Sequence, residues 1–336
     1  MNVDDVVSVC KRICRLAVHV GFPALALLSA AGAAPAQDTY PQKPLRIIVG
    51  FQPGSSSDVA ARIVAQQLGQ AIGQNVVVEN RAGASSSIAA RAVAGALPDG
   101  HVLFLATSAN VINVAANGPA DVDLVRDLSP VALVGRVSNI LVLNPKLGID
   151  KLDAFIRQAR TWPDTITYGS AGNGTALHMA AALFSVMADV RMVHVPYQGS
   201  PAAITDLLAG RLSAMFAPVT SVLPHITSGR LTAIASTGSV RSSIAPNLPT
   251  LSELGLTGFE SSVWFGIMAP RGLPARTESI LASAIREAVG SPDVQAQFKA
   301  NGIEASILIL GDFAVYIRRE TEKWARVIDS QGIRLH

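Results

Sequence analysis

The chain has 336 residues, of which 49% are hydrophobic, 5% aromatic and 15% charged, with a formal net charge of +3. That length exceeds what one hydrophobic core usually serves and predicts two domains. The charge is small and dispersed, with no block of like sign, which excludes a nucleic-acid footprint.

The first 36 residues hold a basic stretch (Lys11, Arg12, Arg15), an apolar run from Leu16 to Ala31, and then Ala34-Pro35-Ala36. Small residues three and one places before Gln37 complete the layout of a secretory signal peptide cleaved near Ala36. A membrane anchor is the alternative. The run, broken by His19 and Pro23, is too short for that, since a spanning helix needs roughly 20 apolar residues. Both cysteines, Cys10 and Cys14, lie in this segment. The processed chain therefore has no disulfide, thiol nucleophile or thiolate metal ligand. It is expected in the periplasm.

The body alternates strands and helices. Leu45 to Val49 is a β-branched run, a buried-strand signal. A small-residue turn, Gln52 to Asp58, precedes Val59, Ile63, Val64, Leu68 and Ile72 at helical spacing, and Gly73 stops the helix. Val76 to Val78 is a second strand. The loop Gly83 to Ser87 opens a helix from Ile88 to Leu97, closed by Pro98-Asp99-Gly100. Val102 to Ala106 is a third strand, leading into a loop from Thr107 to Asn110.

The same order returns in the second half. A strand at Ile166 to Tyr168 leads through the loop Gly169 to Thr175 into a helix from Ala176 to Met187. A strand at Val190 to Val195 leads through Gln198 to Pro201 into a helix from Ala202 to Leu208. Leu212 to Phe216 is the last strand, followed by Pro218 to Ser221. Alternating strands and helices predict parallel α/β sheets, and the duplication predicts two similar doubly wound lobes.

In open α/β sheets ligands bind beyond the carboxyl ends of the strands. Here those ends carry Gly, Ser, Thr and Asn, which let a ligand approach backbone N–H groups at helix N-termini, where the helix dipole favours an anion. The candidate donors are Ser55, Ser56 and Ser108 in the first half, with Ser85 in its second loop. Ser170, Asn173, Gly174 and Thr175 are their counterparts in the second half, with Gly199, Ser200 and Pro218 in the later loops. Phe51 borders the first loop. Asp58 is expected to cap a helix, because a carboxylate aimed at an anion would repel it. His178, one turn into its helix, either reaches the ligand or supports the loop. Each loop taken singly is ordinary capping and turn chemistry. The case rests on their recurrence at equivalent places in both halves.

Gly-x-Ser-x-Gly, the Walker phosphate loop, His-Glu-x-x-His and Gly-x-Gly-x-x-Gly are all absent. His101, His178, His194, His225 and His336 share no metal-ligand spacing. No cofactor, no metal and no enzymatic nucleophile–base pair is expected.

These segments resemble the tripartite tricarboxylate transporter substrate-binding proteins, the Bug receptors. The matching pieces are YPQKPLRIIV from Tyr40, Pro53-Gly54 with Asp58 and Arg62, VVVENRAGA from Val76, and Pro98-Asp99-Gly100. In the second half they are YGSAGNGT from Tyr168 with His178, VPYQG from Val195, LPTLSELG from Leu248, and Trp264-Phe265-Gly266. The resemblance implies a type II periplasmic-binding-protein fold closing on a dicarboxylate, tricarboxylate, acidic amino acid or aromatic acid. It also implies lobe 1 from residues 37–138 plus 262–336 and lobe 2 from 139–261. The first βα loop and the loop before the lobe-2 helix would hold the carboxylate, partly through water. Ser55 and Ser85-Ser86 stand where the family usually has glycine, which narrows the pocket and adds donors. The implied partner of this monomer is a membrane permease. A sensor kinase served by a ligand-binding adaptor is the competing reading, and a periplasmic hydrolase on the same scaffold a third.

Overall fold

Strand β1 (Leu45–Val49) is the β-branched run expected from the sequence, and it is buried except at Arg46. The computed structural model describes residues 40–118, 122–197 and 199–333. The expected signal segment and His336 lie outside them. From Lys43 onward the chain forms one unit.

After β1 come α1 (Ser56–Ile72), β2 (Val76–Asn80), α2 (Ser87–Ala94), β3 (Val102–Thr107) and α3 (Ser108–Asn117). Strand β4 (Leu128–Leu143) and helix α4 (Leu152–Thr161) then lead to the second repeat. That repeat is β5 (Thr167–Ser170), α5 (Ala176–Ala188), β6 (Val193–Pro196), α6 (Ser200–Ala209), β7 (Ala214–Pro218) and α7 (Val219–Thr227). The chain closes with β8 (Thr232–Ser236), β9 (Ser262–Pro270), α8 (Ala275–Gly290), α9 (Pro292–Ala300), β10 (Glu304–Ile309) and α10 (Leu310–Gln331).

The duplicated order holds, with local corrections. β6 and β7 start later than expected, because Val190 and Leu212 pack in the core ahead of the ladders they seemed to open. Helix α2 ends at Ala94 rather than Leu97, whose side chain is 73% exposed. Thr107 to Asn110 is not a loop. Thr107 Oγ1 accepts the Ala109 N–H at 3.3 Å, and the Thr107 N–H donates to Asn110 Oδ1 at 2.9 Å, so the helix begins at Ser108. A helix likewise starts directly after Pro218.

The expectation of purely parallel sheets is corrected. The strand order is β2-β1-β3-β9-β4-β7-β5-β6, with β8 and β10 also paired to β4. β1 is parallel to β2 and β3, and β5 to β6 and β7. β9 lies antiparallel between β3 and β4, and β7, β8 and β10 pair antiparallel to β4. Strand β4 serves two sheets. Its residues through Ser138 pair with β9, and from Asn139 onward it pairs with β7 and β8.

Trp264 of β9 is fully buried and meets Phe313 of α10 edge-on at 5.9 Å. Gly266 makes that approach possible, since a Cβ there would sit 2.2 Å from the Phe313 ring.

Candidate ligand-binding cleft

The strand register sets two groups of loops against each other. Thr107, the last residue of β3, is level with Phe265 of β9, which is level with Gly135 of β4. Four residues further along β4, Asn139 is level with Pro218, the last residue of β7. β7 runs antiparallel to β4, so the carboxyl ends of the two parallel strand sets face each other. At about 3.3 Å per residue, the stretch between the two levels is roughly 13 Å long. Each set delivers its chain into three helices: α1, α2 and α3 on one side, α5, α6 and α7 on the other. Six helix N-termini, each with unpaired N–H groups and a partial positive charge, border the cleft.

On the first side, Ser55 is the N-cap of α1, its Oγ accepting the Asp58 N–H at 3.3 Å. Asp58 is therefore not the cap itself but the third helical residue, and it is buried. Its carboxylate accepts from the Gly54 N–H at 2.9 Å, from Arg62 Nε at 3.0 Å and from Asn80 Nδ2 at 2.9 Å. Burial alone would raise its pKa. The hydrogen bonds from Arg62, Gly54 and Asn80 outweigh that and hold it below the usual carboxylate range. Asn80 Nδ2 also donates to the Phe51 carbonyl at 3.0 Å. Asp58 thus shapes the loop from Phe51 to Ser55, whose Gly54 and Ser55 N–H groups are spent on Asp58 and on the Gln52 carbonyl. Ser56 is exposed at the first turn of α1, and Ser108 is buried at the first turn of α3.

The loop after β2 is strained. Ala84, Ser85 and Ser86 have φ of 45°, 48° and 79°. Each left-handed residue with a side chain costs roughly 1–2 kcal/mol. Ser86 is fully buried with no hydrogen-bond partner for its hydroxyl, and it lies against Gly50, where a Cβ would come within 1.9 Å of Ser86 Oγ.

On the second side, Ser170 is a buried hub. Its Oγ accepts the Gly172 N–H at 3.1 Å and donates to the Gly172 carbonyl at 3.0 Å. Its one proton is thereby used, so His194 Nε2, 2.7 Å away, donates to it. His178 stacks on His194 with ring centroids 3.9 Å apart and 5° between planes, and Tyr168 stacks on His194 at 4.9 Å. His178 Nδ1 accepts the Gly174 N–H at 3.1 Å. Burial first, and then the neighbouring His194, push the His178 pKa down to about 4, while burial also lowers that of His194. Both rings are neutral at physiological pH and act as struts for the loop. His178 therefore supports the loop and spends Gly174's N–H internally.

Thr175 occupies the N-cap position of α5 without a side-chain cap bond. Its hydroxyl donates instead to the Gly172 carbonyl at 2.8 Å. The expectation that this hydroxyl is a free donor is therefore corrected. Asn173 is exposed at the loop tip. Gly199 precedes α6 with φ 107°, Ser200 opens that helix, and Pro218 precedes α7.

Sequence reasoning missed three contributors. His194 belongs to a run that reads as ordinary strand, and Asn113 lies beyond Asn110, where the sequence pattern assigns no element. The third is Thr237, fully buried where chain segments pass between the sheets. Its Oγ1 accepts the Asn139 N–H at 3.0 Å and donates to the Ser261 carbonyl at 2.6 Å, and its own N–H donates to the Asn139 carbonyl at 2.9 Å. Neither Pro53 to Asp58 nor Gly169 to Thr175 contains an arginine. Arg46 and Arg81 both pair with Glu79, and Arg62 with Asp58. Among the described residues no group of His, Cys, Asp and Glu could hold a metal ion, and no helix is long and apolar enough to cross a membrane.

Residues 60–333 match the model of the tripartite tricarboxylate transporter family receptor. The chain is 38% identical to protein BugT of Bordetella pertussis over 300 residues, covering 89% of this chain and 92% of BugT. Its fold superposes on R. palustris Rpa4515 with adipate at a TM-score of 0.73 and 29% identity, covering 88% of this chain and 99% of that one. It also superposes on MatC of Rhodopseudomonas palustris with bound malate at a TM-score of 0.69 and 26% identity, covering 86% of this chain and all of that one. The chain, with its two-lobed α/β fold, belongs to the tripartite tricarboxylate transporter receptor family of solute-binding proteins.

Proposed function

We propose that this receptor closes its two sheets, as lobes, over a small carboxylate and delivers it to a tripartite transporter permease. The observation that carries the reading is the pair of opposed loop sets, with three helix N-termini on each side and no arginine in the loops Pro53 to Asp58 and Gly169 to Thr175. Backbone N–H groups and short hydroxyls, rather than a guanidinium fork, then bind the anion. Malate in MatC and adipate in Rpa4515 support a small carboxylate as the ligand class.

The lobes are residues 37–138 with 262–336, and 139–261, meeting where β4 changes sheets. Ser55, Ser56, Ser85 and Ser108 contact the ligand from one side, and Asn173, Ser200 and the turns at Gly199 and Pro218 from the other. Asp58, Ser170, Thr175 and His178 hold the loops in shape. The protein acts in the periplasm as a binder and not as an enzyme: the Ser170 hydroxyl beside His194 is fully buried and its proton is turned onto the Gly172 carbonyl.

A melting-temperature screen of small acids, malate and adipate among them, tests this. A ligand at 100 times its Kd stabilises the folded state by about 2.7 kcal/mol. At least one small carboxylate should raise the melting temperature and titrate one-to-one by calorimetry. If none does, while neutral sugars or cations do, the reading is wrong.

A further inference from the structure

We infer that Asn113 is a positioning residue for ligand selection, acting through the strained arch of Ala84, Ser85 and Ser86. The inference rests on the carboxylate-cleft reading and assigns a part of that site which sequence patterns do not show.

Three observations converge. The arch keeps three consecutive residues with side chains in the left-handed region. Ser86 adds a buried hydroxyl with no partner. A cost of this kind persists only where the surroundings over-determine it, and such strain clusters at ligand-binding sites. The surroundings here are the first βα loop and helix α3. Gly50, at the end of β1, leaves the space that Ser86 fills. Asn113, on α3, donates its side-chain amide to the Ala84 carbonyl at 3.5 Å, the Ser85 carbonyl at 3.3 Å and Ser87 Oγ at 3.4 Å. The arch is thereby held against the first loop from one side and by helix α3 from the other, at the carboxyl edge of the parallel strands of that sheet.

Inside the protein the arch returns little for its strain. Glycine at positions 85 and 86 would adopt the same angles without penalty. What serine adds is a hydroxymethyl group, and at Ser85 that group is exposed. Ser85 thus offers the ligand a donor and narrows the cleft on the first side. A short, hydroxylated diacid gains from both effects. A longer, unsubstituted one gains from neither.

The test measures Kd for malate and for adipate by calorimetry on the wild type, Ser85→Gly, Asn113→Ala and the double variant, with a melting curve on each. Ser85→Gly should raise the melting temperature by roughly 2 °C, because strain is relieved. It should also lower the preference for malate over adipate by about five-fold or more. Asn113→Ala should lower the same preference, and in the double variant it should add nothing to the effect of Ser85→Gly. A purely structural role for Asn113 would change stability and leave the ratio of the two affinities alone. An unchanged ratio in a wild type that binds these acids overturns the inference and leaves the carboxylate reading standing. A wild type that binds no small carboxylate removes that reading, and this inference with it.

Discussion

Lowering the pH from about 7.5 to 5 should cost the protein about 2 kcal/mol through His178 alone. In the unfolded chain this histidine titrates near 6.5. In the folded chain burial and the stacked His194 bring it down to about 4. A base whose folded pKa is depressed stabilises the fold above its unfolded pKa, and that contribution is lost as pH falls through 6.5 towards 4. The unfolded state takes up the proton in this window and the native state does not. His178→Phe removes the titration and keeps a ring stacked on His194, but leaves the Gly174 N–H without its acceptor. Losing that bond costs about 1 kcal/mol at neutral pH, since Gly174 is only half-buried. The variant should therefore be less stable than wild type by about 1 kcal/mol near pH 7.5 and more stable by about the same amount near pH 5. Urea unfolding followed by circular dichroism at both pH values reads the crossing directly. Parallel pH profiles for the two proteins would show that His178 is not held neutral by its surroundings.

Two further substitutions probe the first side of the cleft. Gly50→Ala should destabilise by about 1–3 kcal/mol through collision with Ser86, and Ser86→Gly in the same chain should restore only part of the loss in a denaturant titration, because the Cα of residue 86 would still lie 2.6 Å from the new methyl. Asp58→Ala should cost about 2 kcal/mol at neutral pH, less than a fully buried pair because the Arg62 side chain is 53% exposed. The folded pKa of Asp58 is depressed, so its contribution is present above the unfolded value near 3.9 and is lost as pH falls below it. The gap between wild type and Asp58→Ala should accordingly narrow in melting curves taken near pH 3.

The repeat and its strand-to-helix loops were legible because parallel strands buried on both faces read as β-branched runs, each followed by a small-residue turn. β4 and β9 were not. Both are buried along nearly their whole length, so neither alternates, and nothing local tells β9 to insert between strands far earlier in the chain. At the site, spacing located the loops but could not assign hydroxyl protons. Ser170 and Thr175 look like free donors in the sequence, and only the folded loop shows both protons turned onto the Gly172 carbonyl. His194 was invisible for the same reason, because its partner Ser170 is brought to it by the pairing of β5 with β6.

The insertion of β9 also dictates when the fold can form. Thr107 finds its neighbour in Phe265, and Arg136 in Trp264. Until residues 262–270 exist, β3 and β4 present open inner edges with nothing to pair against, and hydrophobic strands in that state invite pairing with other chains. Pairings this distant in sequence are slow, because the loop-closure entropy is met before any contact returns it. The N-terminal repeat is therefore not a folding unit in its own right. The first sheet is completed by the finished chain, and a polypeptide interrupted before Ser262 should remain unfolded and aggregation-prone rather than yield half a receptor.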